Sequence, residues 1–311
     1  MRRPVEYSED NLTRNKIKDE DFHQSLSSVA RNAVDIVEAI RTDEINSYWR
    51  HAGLVGQEDD ERFAGEMFSK AKPFILGSEL WKVIQRMPKG SLLHTHWNSM
   101  LSYDTILKIL QKTEGIAVSS SQSLYLDLYR KNATLSISHA NYTLNESVPS
   151  LHSETYIAGT KVSLLRAAKE WPGGNDAFFD YLKTKVELTK DISLHHDLGV
   201  DAVWRQFSKY FATGGTMLLY EPVFREFVQV LLEDLANDGI DWVEIRSDTS
   251  IANLVPEGMS SPSSDSNFPW KVLSEEVDKF KASELGKNFW GLRVIWSDKR
   301  AKNTSQIIEG M

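Results

Sequence analysis

Residues 87–96, Met-Pro-Lys-Gly-Ser-Leu-Leu-His-Thr-His, constrain this chain more than any other stretch. They read as a short apolar strand that ends in two histidines. Side chains alternate across a strand, so His94 and His96 face the same way. Two imidazoles on one face can meet on one metal ion, and neutral imidazole nitrogen suits zinc. The pair alone is a modest signal. Two polar residues at a strand end, hydrogen-bonded and inert, would read the same.

The pattern downstream is strand, helix, strand, helix, strand. Ser102 predicts a helix start, with Ile106, Ile109 and Leu110 on one apolar face. Pro222 suits the first turn of a later helix, whose stripe is Phe224, Phe227, Leu231 and Leu235. Gly239 ends it, and the strand Ile240–Arg246 follows at once. A Ser- and Pro-rich loop and another helix lead to the strand Trp290–Trp296. This order predicts an α/β fold with a parallel sheet. No Gly-x-Gly-x-x-Gly and no Walker loop occur, so phosphate-cradling folds lack support. Upstream, Leu26, Val29, Ala33, Ile36, Val37 and Ile40 recur at helical spacing, and Ile75 to Ile84 reads as a further helix. Residues 1–80 are thus expected to form a helical extension, and 81–311 the main α/β part. The style changes over about 115–175, with the Ser119–Ser123 run, clustered sequons and a Pro172-Gly173-Gly174-Asn175 turn. That segment reads as an insertion, with regular structure resuming near Phe178.

Composition narrows the partners. A net charge of −8 argues against nucleic acid or an anionic membrane as the main partner. No apolar run approaches spanning length, and there is no cysteine to build a disulfide framework. The first residues, Met1-Arg2-Arg3-Pro4, have no apolar region behind them, so a cytoplasmic protein is expected. Sequons begin at Asn11, Asn132, Asn141, Asn145 and Asn303, and their clustering keeps secretion open as the alternative.

The 87–96 block resembles the first barrel strand of the adenosine deaminase family, in the form of its adenosine deaminase-related growth factor branch. Two later blocks are similar in the same order. Leu219 to Phe227 leads to Trp242-Val243-Glu244-Ile245-Arg246, and Gly291-Leu292-Arg293-Val294-Ile295-Trp296 precedes Ser297 to Arg300. The resemblance covers roughly residues 80–311. It implies a metal-dependent hydrolase-type (β/α)8 TIM barrel, of which about the first three strand–helix units are present. Active sites of such barrels lie at the C-terminal strand ends. It further implies Zn2+, hydrolytic deamination of adenosine or a related purine nucleoside, and a homodimer formed through the N-terminal extension. His94 and His96 match the two first-strand zinc ligands. Where the branch often has an acidic residue that meets ribose, this chain has Trp97 and Asn98. Asn98 can still hydrogen-bond a hydroxyl, though a capping role explains it as well. Trp204 is similar to a branch tryptophan near the nucleoside, and an apolar helix anchor is the equal alternative. Glu244 and Arg246 share a strand face and are expected to pair structurally.

The family's later blocks are missing. No His-Ala-Gly-Glu block and no late Asp-Asp pair follow the third strand. His51-Ala52-Gly53-Leu54 lacks the glutamate and precedes the first strand, and His195-His196 match nothing in the pattern. No catalytic residue is therefore assigned. The expectation is a truncated member, inactive alone. The competing expectation is a non-catalytic binding or dimerisation protein.

Overall fold

The computed structural model describes residues 20–48, 68–139, 144, 147–193, 199–297 and 305. His51–Leu54, His195-His196, Asp298, Arg300 and the sequons at Asn11, Asn141, Asn145 and Asn303 lie outside the described residues. The chain divides into two compact units, Met1–Gln85 and Arg86–Met311.

The first unit is helical where described. Helix α1 spans Ser28–Asp43, and Ser27 caps it by accepting from the Ala30 amide. Its periodic stripe is only partly covered. Val37 and Ile40 are half-buried, while Val29 and Ile36 are exposed. The expected single helix near Ile75–Ile84 is two, α2 (Phe68–Gly77) and α3 (Glu79–Arg86). The break has a physical cause. The Ser78 hydroxyl accepts from the Trp81 amide, and the buried Glu44 carboxylate accepts from the Glu79 and Leu80 amides at 2.6 and 3.1 Å. Those three amides open α3 and would otherwise lack partners.

The second unit holds a three-stranded parallel sheet in the order β1 (Gly90–His96), β5 (Ile240–Ser247), β6 (Gly291–Trp296). Parallel neighbours need long crossovers. The β1–β5 crossover includes α4 (Tyr103–Lys112), and the β5–β6 crossover carries α11 (Phe268–Lys281). Ser102 caps α4 through the Thr105 amide, and Ile106, Ile109 and Leu110 are buried as their spacing predicts.

Helix α10 (Glu221–Asn237) runs directly into β5. It buries Phe224, Phe227, Leu231 and Leu235 in the core. Burial of each such side chain stabilises by about 1.5–3 kcal/mol. Gly239 ends α10 with φ +77°, a conformation that carries no Cβ penalty only in glycine. The sheet is two-sided in character. Val243 and Ile245 are fully buried on one face. Glu244, Arg246 and Arg293 lie on the opposite, polar face.

Regular structure does not wait for Phe178. An antiparallel sheet, ordered β3-β2-β4, is built from β2 (Ile116–Ser120), β3 (Leu135–His139) and β4 (Val162–Ser163). Helix α5 (Asp127–Asn132) joins β2 to β3, and α6 (Leu164–Lys169) follows β4. The expected turn is present at Pro172 and Gly173, closed by the Gly174 amide donating to the Trp171 carbonyl at 2.8 Å, and it leads straight into α7 (Gly174–Lys183), with Gly173 at φ +92°. A short α8 (Lys190–Ser193) and α9 (Gly199–Gly214) complete this part. Among the described residues, no helix is long and apolar enough to cross a membrane.

Candidate metal and nucleoside site

The histidine strand is held at its start by the residues that precede it. Lys89 donates from its amide to the Gly239 carbonyl at 3.3 Å. Its ammonium donates to the Asp238 carbonyl at 3.1 Å and pairs with the Asp238 carboxylate at 2.8 Å. A cation at a helix C-terminus satisfies free carbonyls and the helix dipole together. The Pro-Lys-Gly run thus ties β1 to the turn between α10 and β5. That role was not read from the sequence, although a lysine just before a strand near a helix end was its signal.

Register does not run evenly along β1. Leu92 is opposite Val243 and Thr95 is opposite Ile245, so three steps on β1 match two on β5. This is a bulge, with one extra residue on β1. Simple alternation does not foresee it. Arg246 answers the irregularity by donating from its guanidinium to the Leu93 carbonyl.

Beyond the bulge, His94 and His96 share a side as alternation predicts. Their rings lie 5.5 Å apart, tilted by 52°, and both are exposed. His96 is in register with Arg246, so the pair opens on the polar face of the sheet. On that face Arg246 pairs with Glu244 at 3.7 Å, and Arg293 reaches Glu244 at 3.5 Å. One carboxylate between two guanidiniums is a structural clamp, as expected for Glu244 and Arg246. Among the described residues, no third His, Cys, Asp or Glu joins the histidines as a metal-holding group.

Trp97 turns away from this face. It is buried, edge-on to Phe224 at 5.5 Å and to Phe227 at 6.4 Å. Its indole nitrogen is buried with no hydrogen-bond partner among the described residues. The turn Trp97–Ser99 is therefore anchored in the core directly behind His96.

Asn98 is half-buried in that turn, and its carbonyl accepts from the Tyr103 hydroxyl at 3.3 Å. Gly214 closes α9 against the same place. A Cβ there would come within 2.7 Å of the Tyr103 oxygen, and one on Gly215 would reach 4.0 Å from the Asn98 amide nitrogen. Burial, with the Glu187 charge adding to it, pushes the Tyr103 phenol up to about 12. Tyr103 therefore remains a neutral donor that fixes the turn.

Trp204 lies elsewhere. It is 63% exposed on α9 and meets Phe207 at 5.6 Å. Ten residues separate it from Gly214, a distance of about 15 Å along a helix. It is not brought together with Asn98 or the histidines, and it is not the buried anchor of the alternative reading. Val200, Phe207 and Phe211 accompany it on an exposed apolar stripe.

No family model matches the chain. Curated relatives do. The chain is 25% identical to adenosine deaminase 2-A of Danio rerio over 245 residues, covering 78% of this chain and 43% of that protein. It is 25% identical to adenosine deaminase 2 of Sus scrofa over 248 residues, 78% of this chain and 44% of that one. It is 24% identical to adenosine deaminase of Lutzomyia longipalpis over 174 residues, 56% of this chain and 30% of that one. The chain spans less than half the length of these relatives.

Proposed function

From a chain related in sequence to the adenosine deaminases and their growth-factor branch, we propose part of a zinc-dependent purine nucleoside deaminase. The observation that carries this reading is the histidine pair. Two exposed imidazoles, with rings 5.5 Å apart, stand at the C-terminal end of a parallel strand. In α/β barrels that end carries the chemistry. The sheet β1-β5-β6, covered on one face and polar on the other, fits an opening segment of such a barrel.

The donor set fits zinc in kind. His94 and His96 would hold two of its positions, and catalytic zinc sites use three protein ligands plus an open position. Zinc, when bound, supplies Lewis acidity that activates water near neutral pH. The chain's own residues supply the frame. Trp97 fixes the turn behind His96, and Arg246 secures the Leu93 carbonyl beside His94. Asn98 would offer its amide to a sugar hydroxyl, as a neutral contact where a carboxylate would give a charge-assisted one. The substrate proposed is adenosine or a related purine nucleoside. The position of Trp204 on α9 leaves its nucleoside role resting on resemblance alone.

A second reading has one observation in its favour. Among the described residues no third donor completes the pair. A non-catalytic binding or dimerising relative of the deaminases would need none. The deciding experiment is zinc titration of the 311-residue chain by calorimetry, with adenosine turnover followed in parallel. Stoichiometric zinc that His94→Ala and His96→Ala abolish supports the deaminase lineage of the site. Failure of wild type to bind zinc more tightly than those variants sinks it. We expect no turnover from this chain by itself, and chelator-sensitive release of inosine would overturn that expectation.

A further inference from the structure

A cleft of about 650 Å³ lies away from the histidine strand, between α5, the end of α7, α8 and α9. A cleft of that size accommodates a small organic molecule. Its charge is uneven. Arg130, Lys131, Lys185 and Lys209 line it, against Asp127 as the acidic lining residue. Asp127 is already committed, because it forms an ion pair with Arg130. Arg130 also donates to the Leu124 carbonyl at 3.2 Å, so it is held at the wall.

The three lysines remain. Lys131 and Lys209 are exposed at the mouth. Lys185 is 9% exposed and sits deeper, 5.2 Å from the centroid of the Tyr181 ring. Its ammonium donates to the Arg130 and Lys131 carbonyls, the latter at 3.1 Å. That contact caps α5, but one capping cation accounts for only one of the three lysines. Burial, and then the charge of Lys209, pull the Lys185 amine down to about 8. With the Asp127 carboxylate paired to Arg130, three amines leave the lining net positive. The remaining lining is mixed. Ile192, Ala202 and Val203 offer an apolar wall, and Thr184 and Gln206 offer neutral polar groups.

We propose that this cleft binds a small phosphate monoester with a compact apolar body. The phosphate would lie among Lys131, Lys185 and Lys209, and the body along Ile192, Ala202 and Val203. Lysines serve phosphate as mobile point charges, and two or more suit a dianion. The site uses no residue of the histidine strand, so it stands or falls separately from the deaminase reading.

Pyridoxal 5′-phosphate is the probe, because it is such a monoester and carries an aldehyde. A lysine amine condenses with the aldehyde to an imine and releases water. Added borohydride then reduces the imine to a stable secondary amine, which peptide mass mapping locates. We expect substoichiometric probe at neutral pH to mark Lys185, Lys131 or Lys209 ahead of other lysines. Phenyl phosphate should compete, and phenol should not. The double variant Lys131→Met, Lys209→Met alters only exposed side chains and should weaken probe affinity at least tenfold. The pair Lys271→Met, Lys287→Met, exposed and outside the cleft, should leave it unchanged. Labelling spread over surface lysines, equal competition by phenol, or wild-type affinity in the cleft variant would each overturn the proposal.

Discussion

Trp97 offers the sharpest test of how the site is held. It is 8% exposed, wedged edge-on against Phe224 and Phe227, and it directly follows His96. Truncation to alanine removes a large buried ring, and such changes cost about 3–5 kcal/mol. Two edge-on aromatic contacts, each worth roughly 0.5–1.5 kcal/mol beyond burial, place the cost toward the upper part of that range. Phenylalanine is a different perturbation. It keeps one ring and deletes the indole nitrogen, which is buried without a partner among the described residues. Leaving a polar group so costs about 1–3 kcal/mol, which offsets the packing lost with the smaller ring. Trp97→Phe should therefore stay within about 1 kcal/mol of wild type. Urea unfolding followed by far-ultraviolet circular dichroism measures both variants. Zinc titration then reads the consequence for function. Trp97→Phe should keep wild-type zinc affinity, whereas Trp97→Ala should weaken it although no ligand has changed. A cost below about 1 kcal/mol for the alanine variant, or equal costs for the two, would refute the reasoning.

Other perturbations probe the frame around the site. Arg225→Met should destabilise by about 1–3 kcal/mol in urea unfolding, because it strips the 2.8 Å ion pair from Glu276, which is 4% exposed and keeps the neutral Gln229 amide at 2.7 Å and a longer contact to Lys279 at 3.5 Å. Gly239→Ala should cost roughly 1–2 kcal/mol by the same assay, since φ is +77° there and alanine resists that conformation. Lys89→Met removes the cation at the end of α10 and should cost about 1 kcal/mol, with a fall in zinc affinity if β1 shifts. Lys185 gives a pH signature. Its amine titrates near 8 in the folded chain against an ordinary 10.5, so the unfolded chain binds more protons between those values. Stability should rise with pH across that window, and Lys185→Met should flatten the rise in parallel melts.

The parts of the fold written in local code were legible in the letters. Ser102 and the spacing of Ile106, Ile109 and Leu110 announce α4, and Pro222 with Gly239 brackets α10. Three parallel strands follow from the same reading; β5 and β6 agree within a residue at their ends, and β1 ends at His96 as read but starts at Gly90, three residues after Met87. The regular structure inside 115–175 is hidden from such reading, because the Ser119–Ser123 run and the sequon cluster suggest loop. Yet Leu135-Ser-Ile-Ser-His alternates perfectly, and its odd positions are buried in β3. A period-two count would have found that strand. The break between α2 and α3 was beyond such counting, because a carboxylate distant in sequence, Glu44, caps α3.

The site divides along the same line. That His94 and His96 share a face is a local consequence of strand geometry, and the structure keeps it through a bulge that shifts the register just before them. What stabilises that geometry is non-local. The Leu93 carbonyl meets Arg246 from β5, Lys89 meets Asp238 beyond α10, and Trp97 meets Phe224 and Phe227 within it. Each contact joins β1 to residues more than a hundred positions later. The helix α10 is thus the common support of the histidine strand at both ends. This has a consequence for how the site would respond to damage. Cavity-forming changes in α10, such as Phe227→Ala, should loosen zinc binding together with stability, whereas equal cavities under the antiparallel sheet, such as Leu135→Ala, should cost stability alone. Uniform loss of zinc affinity from both would mean that the pair depends on global folding and not on this support.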